Sequence, residues 1–289
     1  MNIIVAKTSG FCFGVSRAVS TVNKLIDDGK KVCTLGEIIH NPYVVNDLKN
    51  RGVMVVNSPS EVSEGYTLVV RSHGCTKSDM DFILNSKISF VDATCPFVKK
   101  IHKIVETNEQ NKKILLAAGD AEHPEMIGIR SYFSGKSYVF KDKSELENII
   151  KQNKIANTES ILLVSQTTFS KSTWKICTKF IKDIFTNVCL CDTICNTTNL
   201  RQQEAEILSK NSDLMVVIGG KKSSNTLKLY EICQKNAPTL LVEFENDLPS
   251  KIDKKYSKIG IVAGASTPPE LVQKIKNTLE MIYYGNQSS

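Results

Sequence analysis

Phe90-Val-Asp-Ala-Thr-Cys95-Pro96 carries an apolar stretch into a loop that ends on a cysteine, and Val98, Ile101 and Val105 follow at helical spacing. The same order occurs twice more. Ile3-Ile-Val-Ala6 leads to Gly10-Phe-Cys12, ahead of Val15, Val19, Val22 and Ile26, and Val188-Cys-Leu-Cys-Asp-Thr-Ile-Cys195 completes the set. Short apolar runs read as buried strands, and apolar residues three and four apart read as helix faces. Strands are predicted at Ile3–Ala6, Val32–Leu35, Leu68–Arg71, Ser89–Val91, Ile114–Ala117, Ile161–Ser165, Leu214–Ile218 and Ile259–Ala263. Strands alternating with amphipathic stretches predict an α/β chain with mainly parallel sheets.

The spacing makes this a threefold repeat. Each cysteine is followed 28 residues later by a polar group just past a second strand: His40, His123 and Ser223. A third strand then ends near His73, Thr167 and Ser266, which lie 33, 44 and 43 residues further on. Ligands of open α/β sheets bind outside the carboxyl ends of the strands. Three such units facing one another would bring three thiols together with a ring of His, Ser, Thr and Asn. The units are expected at 13–95, 96–194 and 195–289, with residues 1–12 free to join the sheet of the third.

Composition narrows the class. With 289 residues, 41% hydrophobic and 23% charged, the chain can bury sizeable cores. No apolar run is long enough to span a bilayer and the amino terminus lacks the build of a signal peptide, so a cytoplasmic protein with no membrane partner is expected. The net charge of +7 suits an anionic small molecule or an acidic protein partner. It is spread thinly, with no basic stripe interleaved with aromatics, and nucleic acid is not expected as a partner.

Nine cysteines in such a chain read as core thiols, metal ligands or catalytic groups rather than as a disulfide framework. Cys33, Cys177 and Cys233 sit in apolar patterns and read as core; Cys75 is assigned no role. Cys12, Cys95 and Cys195 each lie in a strand-to-helix loop, where a helix N-terminus favours a thiolate. Structural zinc takes four ligands. Three thiolates suggest a metal centre with an open position: catalytic zinc would leave one position free, and an iron–sulfur cluster, usually held by four cysteines, would have one iron with a vacant or exchangeable site. The run Cys189-Leu-Cys191-Asp-Thr-Ile-Cys195 offers a rival local metal site, although Cys189 and Cys191 alternate along an apparent strand and face the same side, away from the loop.

Three of the four histidines, His40, His73 and His123, lie just past strands; His102 falls inside a helix and reads as structural or exposed. Gly219-Gly-Lys-Lys-Ser-Ser-Asn225 runs from a strand into a helix, and its hydroxyls, amide and helix N-terminus make an anion site, with Gly264-Ala-Ser266 as a similar turn. His123-Pro-Glu125 puts a carboxyl two residues from a pocket histidine, where it could serve as a general acid.

Together these residues resemble the 4-hydroxy-3-methylbut-2-enyl diphosphate reductase family of the non-mevalonate isoprenoid route. The resemblance runs in order through Gly10-Phe-Cys-Phe-Gly-Val15, Ile39-His-Asn41, Ser72-His-Gly74, Asp92-Ala-Thr-Cys-Pro96 and His123-Pro-Glu125. It continues through Gln166-Thr-Thr168, Ile194-Cys195, Arg201-Gln202, Ser223-Ser-Asn-Thr226 and Gly264-Ala-Ser-Thr-Pro268. It implies a trefoil of three α/β units around a central 4Fe–4S cluster held by Cys12, Cys95 and Cys195, whose fourth iron takes the substrate's hydroxyl oxygen. It further implies that His40, His73, His123, Ser223, Ser224, Asn225 and Ser266 hold the diphosphate. Thr167 would meet the hydroxyl end and relay a proton from Glu125, with a flavodoxin or ferredoxin as electron donor. Phe13, where the family often has Ala, and Asn196-Thr197 depart from the pattern without touching these residues.

Two other readings stay open on the sequence: another iron–sulfur dehydratase or reductase with a different anionic substrate, and a cluster-based redox sensor that binds nucleic acid.

Overall fold

The computed structural model describes residues 1–285; the end of the third predicted unit, 286–289, lies outside them. In chain order the elements are β1 (Asn2–Val5), α1 (Phe13–Asp27), β2 (Lys31–Leu35), α2 (Pro42–Asn50), β3 (Met54–Val56), β4 (Tyr66–Val70), α3 (Lys77–Asn85) and β5 (Ser89–Asp92). Next come α4 (Pro96–Asn108), β6 (Ile114–Ala118), α5 (Pro124–Ser131), β7 (Lys136–Phe140), α6 (Lys143–Gln152), β8 (Ile161–Ser165), α7 (Lys171–Ile184) and β9 (Val188–Leu190). The chain closes with α8 (Asn196–Lys210), β10 (Leu214–Ile218), α9 (Ser224–Gln234), β11 (Thr239–Val242), β12 (Lys258–Ala263) and α10 (Pro269–Tyr284).

The strands form three four-stranded sheets, ordered β3-β2-β4-β5, β7-β6-β8-β9 and β11-β10-β12-β1, and every pairing is parallel. All three have one topology: outer strand, second strand, third strand, cysteine strand. The predicted parallel α/β class with three repeated units is what the chain adopts. Among the described residues β1, through Asn2↔Lys258 to Val5↔Ile261, supplies the cysteine strand of the last sheet. The chain divides into two compact units: one holds Met1–Ser16, Ile39–Arg51 and the chain from Asn196 onward, the other Arg17–Ile38 and Gly52–Cys195.

The burial of the strands follows from the architecture. Parallel sheets covered on both faces need strands apolar on both sides, and every residue of β6, β8 and β10 is buried. On one face of the second sheet Leu116, Ala118, Leu163 and Phe140 pack with Trp174, Cys177 and Ile181 of α7; on the other Leu115, Ala117 and Val164 pack with Ile101, Val105 and Met126. In the last sheet Val216, Ile218 and Ile261 meet Leu271, Ile275 and Leu279 of α10. Cys33, Cys177 and Cys233 are core thiols, as predicted, and Cys75 is also buried.

The helices start where local chemistry dictates. Asn41 caps α2, its side chain accepting from Tyr43 N–H and Val44 N–H, and Pro42 occupies the first turn, where its missing N–H costs nothing. Thr76, Ser170 and Ser223 cap α3, α7 and α9 in the same way.

Three outer strands, β3, β7 and β11, were not predicted. They are edge strands, half-buried for most of their length, and Lys136-Ser-Tyr-Val-Phe140 lacks the unbroken apolar run that marks its buried neighbour β6. Each is nonetheless tied in alike: the glycine after the second strand, Gly36, Gly119 or Gly219, donates its N–H to the last residue of the outer strand, Val56, Phe140 or Val242.

Candidate active site

In each sheet the third strand and the cysteine strand run side by side, so the loops leaving their carboxyl ends meet. Cys12 N–H donates to Ala265 O, Cys95 N–H to Ser72 O and Cys195 N–H to Thr167 O, all at 2.9 Å. Each acceptor is the second residue beyond its third strand, and each cysteine directly precedes a helix, α1, α4 or α8. None of the three is in a disulfide, and all are half-exposed. A sulfur at a helix N-terminus gains from the exposed N–H groups there, so the donors suit a thiophilic, anionic group.

The cysteine loops are held by side chains that sequence reading left without a role. Arg201, itself buried, donates to Gly10 O at 2.7 Å and Ala263 O at 3.0 Å. Glu204 accepts from Lys7 N–H, Thr8 N–H and the Thr8 hydroxyl at the start of the same loop. Arg17 donates to Asp92 O and Thr94 O, just ahead of Cys95. Thr193 donates to Ser165 O and accepts from Ser165 N–H, ahead of Cys195. A signal existed for Arg17: it is a cation between the apolar positions Val15, Ala18 and Val19 of α1.

Pairing also corrects one predicted equivalence. Leu35↔Val70, Ala118↔Ser165 and Ile218↔Ala263 are matching pairs in the three sheets. His40, His123 and Ser223 are then each the fifth residue beyond the second strand, as the equal spacing predicted. His73 and Ser266 are each the third residue beyond the third strand, but the residue there in the second sheet is Thr168. Thr167 is instead the counterpart of Ser72 and Ala265.

That one-residue difference gives Thr167 its partner. Thr167 N–H donates to Glu125 Oε1 at 2.6 Å, and its hydroxyl donates to Oε2 at 2.8 Å. Glu125 is 2% exposed. Burial pushes its carboxyl up to about 7, against the two Thr167 bonds, which favour the charged form. His123 caps α5, its Nδ1 accepting from Glu125 N–H at 3.1 Å, so the neutral ring carries its proton on Nε2. The ring of His73 meets that of His123 edge to face, 5.3 Å between centroids. Glu125, Thr167, His123 and His73 thus adjoin one another, and Thr167 adjoins Cys195 through its carbonyl.

In the other compact unit, the Ser266 hydroxyl donates to His40 O at 3.2 Å. A Cβ on Gly220 would stand 2.6 Å from that same carbonyl, so only glycine lets the strand-end loop pass. Ser223 caps α9, leaving Ser224 and Asn225 in its first turn. Asn225 is 3% exposed, and among the described residues neither atom of its amide has a hydrogen-bond partner. A buried amide in that condition costs free energy unless something else engages it. His102, by contrast, is structural: it is buried, stacked on Tyr132 at 4.3 Å, and desolvation lowers its pKa to about 4.

The class defined so far is an α/β chain of three like sheets, with a half-exposed thiol heading a helix in each and polar groups at the neighbouring strand ends. Its family is the LytB protein family, to which the chain belongs: that family's model matches residues 3–280. A relative from Thermoanaerobacter sp. (strain X514), named 4-hydroxy-3-methylbut-2-enyl diphosphate reductase, is 39% identical over 280 residues, 95% of either chain. The solved structure of the E-1-hydroxy-2-methyl-but-2-enyl-4-diphosphate reductase from Plasmodium falciparum matches with a TM-score of 0.87 and 27% identity, over 96% of this chain and 87% of that one. A second solved structure, of (E)-4-hydroxy-3-methyl-but-2-enyl diphosphate reductase, the terminal enzyme of the non-mevalonate pathway, matches with a TM-score of 0.69 and 34% identity, over 97% and 99%. The resemblance read from the motifs therefore holds along nearly the whole chain.

Proposed function

We propose that the chain is a 4-hydroxy-3-methylbut-2-enyl diphosphate reductase. It takes the allylic hydroxyl off its substrate as water and yields isopentenyl and dimethylallyl diphosphate. The observation that carries this reading is the Glu125–Thr167 pair, a buried carboxyl on α5 poised near neutrality and held by a loop residue whose carbonyl also accepts from the Cys195 amide.

The three thiols fit an iron–sulfur cluster as donors: each is accessible and each heads a helix. Cys12, Cys95 and Cys195 would hold one 4Fe–4S cluster with an open fourth iron, at the centre of a trefoil of the units 13–95, 96–194 and 195–289. Such a group would supply a Lewis acid for the departing hydroxyl and would pass on, one at a time, the two electrons of the external donor.

The remaining work falls to side chains. His40, His73, His123, Ser223, Ser224, Asn225 and Ser266 hold the diphosphate, whose roughly three negative charges call for many donors. The buried, unpartnered amide of Asn225 and the Nε2 proton of His123 are donors of the required kind. Glu125, with a pKa near working pH, keeps a protonated fraction at neutrality and passes its proton through the Thr167 hydroxyl to the leaving oxygen. A second proton and two electrons complete the allyl unit, so one water leaves per turnover.

The net charge of +7 favours a small acidic electron donor, a flavodoxin or ferredoxin. Among the described residues no helix is long and apolar enough to cross a membrane, in keeping with a cytoplasmic enzyme.

The test is an anaerobic assay of the reconstituted protein with a reduced dye and 4-hydroxy-3-methylbut-2-enyl diphosphate, with Glu125→Gln alongside. Conversion to the two five-carbon diphosphates by the parent, nearly abolished in the variant, is expected. A loaded cluster without turnover would rule out this substrate.

A further inference from the structure

Burial sorts the nine cysteines. Cys33, Cys75, Cys177 and Cys233 are buried, whereas Cys12, Cys95, Cys189, Cys191 and Cys195 are half-exposed. With Cys12, Cys95 and Cys195 taken as ligands, Cys189 and Cys191 are the accessible thiols that the proposed reduction does not use.

They sit two residues apart on β9 and the residue after it, at the edge of the second sheet. Cys189 pairs with Leu162, and Cys191 N–H donates to Leu163 O at 2.9 Å, so the backbone stays extended through both. Alternate side chains of a strand share a face, and the two sulfurs stand 4.0 Å apart. Both lie against the apolar cluster of Ile101, Val105, Leu115 and Leu162, which limits the directions either side chain can take. Among the described residues Cys195 does not join them in a three-ligand group. Two sulfurs do not complete a zinc site, which tells against the local metal site that the sequence allowed.

We propose that Cys189 and Cys191 are a redox-active dithiol that closes to a disulfide by exchange with low-molecular-weight disulfides. Cα atoms two residues apart on a strand are separated by roughly 6.6 Å, within but near the top of the roughly 4.4–6.8 Å range that a disulfide spans. On an extended chain the two Cβ atoms are also roughly 6.6 Å apart, beyond the roughly 3.5–4.5 Å that a disulfide needs. Closing the 4.0 Å gap between the sulfurs therefore requires Cys191, which stands just past β9, to give up its bond to Leu163 O and leave the extended conformation. A bond made near the limit of its span is strained and easily reduced, which makes the site reversible rather than structural.

The exchange balances. One thiolate attacks a sulfur of the small disulfide, forms a mixed disulfide and releases the first small thiol. The second protein sulfur gives up its proton, attacks the first and releases the other small thiol. The protein loses two hydrogens with their electrons, and the small disulfide gains them. Burial, the larger cause of the upward shift of the Cys191 thiol, leaves little of it as thiolate at neutral pH, so its attack, the later of the two steps, is the slower one.

The test uses the anaerobically reconstituted holoprotein and oxidised glutathione. Cleavage before Asp183 and Asp192 releases a peptide, residues 183–191, that holds Cys189 and Cys191 without Cys195. Expected is a peptide lighter by two hydrogens and restored by dithiothreitol, with the visible absorption of the cluster unchanged. Cys191→Ser should stop at one glutathione on Cys189. A peptide with both thiols free, one carrying two glutathiones, or a bond from either sulfur to Cys195 would overturn the proposal. The peptide reads the same whether or not the protein turns over the diphosphate, so failure of the reductase assignment is seen separately.

Discussion

Glu125→Gln should raise the stability of the protein while removing its turnover, and the rise should depend on pH. The carboxyl moves from an ordinary 4.5 to about 7 on folding because burial penalises its charge. At 1.36 kcal/mol per unit, ionised Glu125 costs the folded state roughly 3 kcal/mol. Below the unfolded value both states hold the proton and there is no penalty. As pH rises from 4.5 toward 7 the unfolded chain releases its proton first, so stability falls; above about 7 the penalty is constant. Glutamine has the shape of the protonated acid. Its oxygen can still accept from Thr167 N–H, and its amide can donate to the Thr167 hydroxyl, so both bonds survive without a charge to bury. Urea unfolding of both proteins under anaerobic conditions at about pH 5 and about pH 8 isolates this term, because the comparison at each pH cancels every other titrating group. The variant's advantage should grow by roughly 2–3 kcal/mol between the two. A difference that does not change with pH would mean that Glu125 ionises as an exposed glutamate does, and the proton-donor argument would fall with it.

Thr167→Val keeps the backbone bond to Glu125 but removes the hydroxyl; turnover should fall by roughly 10²-fold and recover in Thr167→Ser. Since that hydroxyl stabilises the charged carboxyl, the alkaline limb of the valine variant's pH–rate profile should move upward. Arg201→Met strands Gly10 O and Ala263 O beside the Cys12 loop, at a cost of roughly 2–4 kcal/mol by denaturant unfolding and with less iron retained per chain. Gly74 has φ +76°, and a Cβ there would lie 2.8 Å from His102 Cε1. Gly74→Ala should therefore destabilise by about 2 kcal/mol or more and raise KM through the adjoining His73, measured by thermal unfolding and steady-state kinetics.

The parts of the fold legible in the sequence are those where burial is complete. Leu214–Ile218 and Ile161–Val164 are apolar without interruption because both faces of their sheets are covered. Residues 239–242 and 136–140 lie at sheet edges, where half-exposure admits lysine, serine and threonine and erases the signal. The cysteine loops were legible because each combines a strand end, a thiol and a helix start, and equal spacing tied them together. Register at the third strand was not: nothing local in Gln166-Thr-Thr168 says which threonine matches His73, and the answer rests on pairing with β6 across more than forty residues. The contacts of Arg17 and Arg201 were hidden for the same reason, since both reach carbonyls far away in the chain.

The way the sheets differ in length says where this protein can change without harm. From the second strand to the strand-end polar group, and back to the cysteine, the count is the same in all three. The stretch from outer strand to third strand varies: Val56 to Tyr66 passes a single 3-10 turn, Phe140 to Ile161 carries the whole of α6, and Val242 to Lys258 holds another short turn. These connections enter the third strand at its amino end. Five or six residues of strand, roughly 16–20 Å, separate that end from the groups proposed to do chemistry. They are natural sites for an inserted affinity tag, a spectroscopic label or a fused domain, whereas one residue added between Cys95 and His123 would put thiol and imidazole out of step.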